Sequence, residues 1–226
     1  MKIPAVLLAA MATSAGACGL RTAPVEPAML APSNVMDFNV LYAKNCSGCH
    51  GVDGQGGAAI SLSNPFYLAI ADDATITRIA SDGVPGTSMP AFAKRSGGLL
   101  TDKQIEVITR GIRTRWARPD SVRDAQLPPY IARSPGDPKR GEAAFTLYCA
   151  SCHGAEGSGG SAGSIVNGSY LALVSDQSLR TTIIAGRRDV GHPDWRGDVP
   201  GKPMSPEDVS DVVAWLAAQR PQGGSQ

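Results

Sequence analysis

"CSGCHGVDGQGG" (46–57) and "CASCHGAEGSGG" (149–160) are two copies of one segment, 103 residues apart. The same offset carries Tyr42 onto Phe145, Asn64 onto Asn167, Tyr67 onto Tyr170 and Gly83 onto Gly186 without a gap, so the chain contains a duplication. Each copy reads as a helix, a cysteine-containing turn, a glycine-rich loop, a helix, an ordered loop and a last helix. The helix starts are legible. Asp137-Pro138 is a capping residue followed by proline at the first helical position; Thr101 with Gln104 forms a capping box, and Ser205-Pro206 with Asp208 another. "DKQIEVITRGI" (102–112) and "PEDVSDVVAWLAAQ" (206–219) then space their apolar residues at helical period. No strand pattern competes, so the class is all-α.

The 226 residues are 42% hydrophobic with a formal charge of +1, which suits one or two globular domains and gives no warrant for nucleic-acid binding. Aromatics make up only 5%, fewer than two cores of this size normally carry, so part of the core volume is expected to come from something other than protein. The basic residues concentrate in one place, "RGIRTRWARPDSVR" (110–123). That segment reads as a solvated helix end favoured by its own dipole and followed by a linker, or as a docking patch for an acidic partner.

The chemistry lies in C-x-x-C-H, at Cys46-Cys49-His50 and Cys149-Cys152-His153. Two thiols one turn apart can each form a thioether with a haem vinyl group, and the next residue offers an imidazole nitrogen to the iron. A thioredoxin-like C-x-x-C needs a βαβ setting that is missing, and a zinc ribbon wants its cysteine pairs closer than 103 residues. On these motifs both halves resemble class I cytochrome c domains, and the whole resembles exported dihaem cytochromes c. The resemblance covers 35–116 and 137–220, with a linker rich in proline at 117–136 between them. It implies two covalently attached haem c groups, each with a proximal histidine and usually a distal methionine. Haem would also supply the missing core volume. The family packs its first helix across its last through a small residue opposite a large one. Here that pair is Gly141 with Trp215 in the second copy and, with the sizes exchanged, Phe38 with Gly111 in the first.

For the distal position of the first copy, "GTSMPAF" (86–92) offers Met89. In the second copy the 103-residue offset takes Met89-Pro90-x-Phe92 onto His192-Pro193-x-Trp195, which nominates His192. Met204 is the alternative. It stands one residue before a helix cap, as Leu100 does, where an apolar side chain packs on the fourth helical residue, here Val209 and Ile105. A re-routed loop would instead bring Met204 to the iron, and both readings stay open. Arg187 and Arg188 are either solvated or paired with haem propionates; Asn64 and Asn167 are read as turn residues.

The N-terminus, "MKIPAVLLAAMATSAGAC", reads as an export signal over 1–17. It resembles a bacterial lipoprotein signal, implying a lipid on Cys18 and a periplasmic, membrane-anchored protein; a soluble periplasmic protein with ordinary cleavage is the alternative. Residues 18–34 read as a Pro/Ala-rich tether of roughly 50 Å at full polyproline extension, and 221–226 as a disordered tail. The resemblance implies an electron-transfer protein rather than an enzyme. It would work as a tethered carrier or as a subunit of a quinol-oxidising complex or dehydrogenase, passing electrons to an acceptor such as a terminal oxidase. A dihaem peroxidase-like enzyme with an openable second iron is the rival reading.

Overall fold

The computed structural model describes residues 30–197 and 199–221. The signal segment 1–17, Cys18 and most of the tether and tail lie outside the described residues. From Ala31 onward the described chain is one compact unit. It is helical, with isolated bridges but no strand among the described residues. No helix there is long and apolar enough to cross a membrane.

The two halves share one order of elements. The first half runs α1 (Phe38–Asn45), α2 (Ser47–His50), α3 (Pro65–Ile70), α4 (Asp73–Asp82) and α5 (Asp102–Trp116). The second repeats it as α6 (Pro138–Tyr148), α7 (Ala150–His153), α8 (Gly168–Leu173), α9 (Asp176–Ala185) and α10 (Pro206–Ala218). The expected helix starts are present. Asp137 accepts the amides of Lys139 and Arg140, and both capping boxes are closed in both directions. Where one middle helix was expected there are two, because each stretch holds two successive caps. Asn64 and Asn167 cap α3 and α8, then Asp72 and Ser175 cap α4 and α9. Each side-chain oxygen satisfies amides that a continuous helix would have used, so the chain breaks there.

The helix crossing predicted from the exchanged pair is present. A Cβ built on Gly111 would lie 2.0 Å from the Phe38 ring, and one on Gly141 would lie 2.0 Å from the Asp211 carbonyl oxygen and 2.7 Å from Trp215 Cβ. α1 therefore crosses α5, and α6 crosses α10, at a distance only glycine permits. In the second half the Trp215 ring stacks on Phe145 at 4.3 Å; in the first, Trp116 meets Tyr42 edge-on at 5.0 Å. The two halves thus fill the same wedge from opposite sides, a volume-conserving exchange that a core tolerates.

Arg113, inside the basic segment 110–123, is neither solvated nor a docking group. Its guanidinium donates to the carbonyls of Leu68 and Ala71 and pairs with Asp73, joining α5 to the end of α3. Arg220 does the same for the second half, donating to Leu171 and Val174 at 3.0 and 2.9 Å and pairing with Asp176 at 2.6 Å. The acceptors follow the 103-residue offset and the donors do not, so the repeat in the sequence conceals the repeat in function.

The middle of the 117–136 segment is packed against both halves. Val122, Ala125, Leu127 and Tyr130 pack on the first core, and Leu127 also touches the second. Buried Arg180 of α9 donates to the carbonyls of Pro129 at 2.8 Å and Tyr130 at 3.1 Å. Ala185 and Trp195, from the second half, are buried in the core of the first. Trp195 meets Phe66 edge-on at 5.0 Å, and the Arg196 guanidinium lies 5.0 Å from the Phe66 ring centre.

Candidate metal centres

Each C-x-x-C-H segment is a single helical turn whose ends are fixed by the backbone. α1 stops at Cys46, whose amide donates to the Tyr42 carbonyl at 2.8 Å; the Cys46 carbonyl then accepts from Cys49 at 3.2 Å and His50 at 3.0 Å. Gly51 ends the turn at φ +80°, where a Cβ would strike the Gln55 carbonyl oxygen. The second segment repeats these bonds: Cys149 to Phe145 at 2.8 Å, then Cys152 and His153 to Cys149 at 3.1 and 3.0 Å, with Gly154 at φ +78°. Both cysteines of a pair therefore sit on one turn, with the histidine buried at its end.

The two imidazoles are held alike. His50 Nδ1 lies 2.8 Å from the Ile60 carbonyl oxygen and His153 Nδ1 lies 3.0 Å from that of Gly163. A carbonyl only accepts, so Nδ1 carries the proton and the lone pair is on Nε2. Burial pushes the His50 pKa down and the nearby Arg187 charge adds to it, against an upward pull from the Ile60 carbonyl. Neutral imidazole, the form that binds a metal, is favoured.

The four cysteines of these turns are free thiols. Burial, with the neighbouring thiol adding to it, pushes Cys46 up to about 12 and Cys149 up to about 11. Thiol–disulfide exchange wants a depressed pKa, so these pairs are poorly suited to it. Two unbridged thiols on one turn beside an imidazole whose Nε2 is unspent fit a covalently attached haem, and do so in both halves.

The loops expected to supply the distal ligands are built alike in the two halves. The Val84 amide donates to the Met89 carbonyl at 3.0 Å, and the Arg187 amide donates to the His192 carbonyl at 3.0 Å. Gly83 and Gly186, at φ +69° and +71°, open these loops against Pro90 and Pro193. Met89 and His192 therefore hold one backbone position, both half-buried. The His192 ring faces His153 with centroids 6.2 Å apart. Met204 lies elsewhere, buried with Val209 in the second core, its amide donating to Trp195 at 2.8 Å as the Leu100 amide donates to Phe92 at 2.8 Å.

Sequence reasoning did not foresee the use made of the residues beside His192. Arg187 spends its donors on Asp189 and on the carbonyls of Gly57 and Ala59 in the first half, and Arg188 pairs with buried Asp194. A pair of loop arginines carries no sequence mark of this; the partners are backbone oxygens about 130 positions away.

Residues 33–110 and 136–216 match the family model described as cytochrome c oxidase, cbb3-type, subunit III. Among curated proteins the chain is similar to the cytochrome bc1 complex cytochrome c subunits of Mycobacterium bovis and Corynebacterium diphtheriae. The first is 25% identical over 78% of this chain and 60% of the relative, the second 25% identical over 81% and 67%. The chain thus spans 60% of the length of the mycobacterial relatives it matches. Among solved structures it resembles the Kuenenia stuttgartiensis reducing HAO-like protein complex Kustc0457/Kustc0458, at 18% identity and a TM-score of 0.45 over 81% of this chain and 96% of that one. With matched segments covering most of its length and a C-x-x-C-H turn in each, the chain belongs to the cytochrome c oxidase cbb3-type subunit III family and is a c-type cytochrome.

Proposed function

We propose that this protein is a dihaem electron-transfer cytochrome of a bacterial respiratory or photosynthetic-type chain. In this reading Cys46 and Cys49 anchor one haem and Cys149 and Cys152 the other. His50 with Met89, and His153 with His192, would hold the two irons as the axial pairs. Haem supplies one-electron exchange between the ferrous and ferric states; the protein holds its ligands, keeps water away and sets the potential.

The observation that carries the reading is the 6.2 Å between the His153 and His192 ring centres. Two imidazoles on opposite sides of one metal, with bonds of roughly 2 Å and about 1 Å more from nitrogen to ring centre, span about 6 Å. Met204 has a full packing role in the core without a metal. A protein ligand on each side of both irons would favour transfer at the haem edge over substrate binding, against peroxidase-like turnover. A bis-histidine iron has the lower potential, because thioether ligation raises it, so the two centres form a step. The relatives are subunits of a bc1 complex, which supports a quinol-oxidising complex as electron donor for this chain. Lipid attachment at Cys18 would keep the carrier beside such a donor in the periplasm.

The test is a count of methionine-ligated haems in the oxidised protein by their far-red charge-transfer band. One such haem is expected, with the spectrum intact in Met204→Ala and changed in His192→Ala. Two such haems, one of them lost in Met204→Ala, would overturn the assignment.

A further inference from the structure

The ligand loop of the second centre is built onto the proximal side of the first. Arg187 Nη2 donates to the Gly57 carbonyl at 2.7 Å and Nη1 to that of Ala59 at 3.0 Å, one residue before Ile60, whose carbonyl orients His50. Asp189 clamps the guanidinium at 2.7 Å and accepts the Gly56 amide at 3.1 Å, so the ion pair and the 56–59 loop form one network. Both side chains of the pair are 13% exposed. On its other side the Arg187 backbone brackets His192: its amide donates to the His192 carbonyl at 3.0 Å, and its carbonyl accepts the His192 amide at 2.9 Å. A planar fork that reaches two carbonyls and a carboxylate at once is available to arginine and not to lysine.

We infer that Arg187 is a positioning residue that couples the two centres, setting the His50 orientation at the first and the His192 loop at the second through one side chain. The inference rests on the axial pairs proposed above. A shift of either loop strains the other, because the connecting bonds are short and charge-assisted. The potential of the first iron and the ligation of the second are consequently not independent.

The test uses the two-haem protein with Arg187→Gln, Arg187→Lys and Asp189→Asn. Three quantities are read: amide hydrogen exchange over 56–60 and 187–192, the low-spin resonance signals of the two irons, and the partition of one electron between them. Arg187→Gln is expected to speed exchange in both segments at least tenfold, to alter both resonance signals and to move the electron partition at least tenfold. Arg187→Lys should resemble Gln rather than the native protein, and Asp189→Asn should act in the same direction more weakly, which keeps a readable variant if the Arg187 variants load haem poorly. Changes confined to one centre, or full rescue by lysine, would overturn the coupling. His192→Ala separates the two failures. If it leaves the second centre's spectrum intact, the ligand assignment is at fault. If it alters that spectrum while Arg187→Gln touches one centre only, the coupling is.

Discussion

Replacing Gly111 by alanine sets two known energies against each other, and the sign of the result decides whether the α1–α5 crossing is as tight as its geometry indicates. An exposed helix would gain about 1 kcal/mol from this change. Here the new methyl would lie 2.0 Å from Phe38 Cδ2 and 2.4 Å from Cγ. Carbon atoms settle near 3.5–4 Å, so the ring must move roughly 1.5 Å. Trp116 and Tyr42, with ring centres 5.9 and 5.6 Å away, limit where it can go. Overpacking of this kind costs about 1–3 kcal/mol. The net expectation is a loss of up to about 2 kcal/mol, a fall in Tm of up to roughly 8 °C for a chain of this length. In a Phe38→Ala background the obstacle is gone and the same substitution should gain about 1 kcal/mol. The assay is thermal unfolding of the haem-loaded protein by circular dichroism at 222 nm, across the four members of the cycle. A higher Tm for Gly111→Ala in the native background would refute the reasoning. Gly141→Ala should cost more than Gly111→Ala, because the atoms in its way are the Asp211 main chain, which cannot rotate aside.

Asp211 is buried and accepts the Asp137 amide at 2.6 Å and Arg140 at 2.7 and 3.0 Å; Asp211→Ala should cost about 2–3 kcal/mol in urea unfolding, as for loss of charged hydrogen bonds. Trp195→Ala should destabilise the first half although the residue belongs to the second: about 3–5 kcal/mol follows for a buried tryptophan, and the check is loss of amide protection in α3. Backbone donors from Arg140, then Lys139, hold the Asp137 carboxyl below the usual carboxylate range. A depressed folded pKa gives stability that is present above the unfolded value and lost as pH falls through the folded one. Asp137→Asn should therefore flatten the acid limb of a stability profile below about pH 4, and an unchanged limb would show that this cap does not contribute.

The local features were legible because they are written in neighbouring residues. A cap, a C-x-x-C-H turn and an obligatory glycine each act within about one turn of helix, and a duplicated sequence states each of them twice. The offset alone put His192 at the backbone position of Met89, and the match of Met204 with Leu100 explained it as a core residue. Less legible was the split of each middle helix, since Asp72 and Ser175 look like ordinary helix-surface residues until their side chains are seen to take the place of the backbone bond.

By itself, the sequence determined the all-α class, the duplication and the two C-x-x-C-H turns, and its resemblance to cytochrome c domains pointed to the exchanged large and small residues at the helix crossings. The first three depend on spacing along the chain. Only the tertiary structure decided how the halves are joined. Trp195 lies in the core of the other half, Arg113 and Arg220 close equivalent helix ends from non-equivalent positions, and Arg187 links the 187–192 loop to the 56–60 loop. Beyond their carboxylate partners, these contacts are made to backbone carbonyls or to packed rings. A carbonyl is present at every residue, so nothing in the letters marks which one will accept. The choice is made when the chain packs and leaves those oxygens facing a guanidinium.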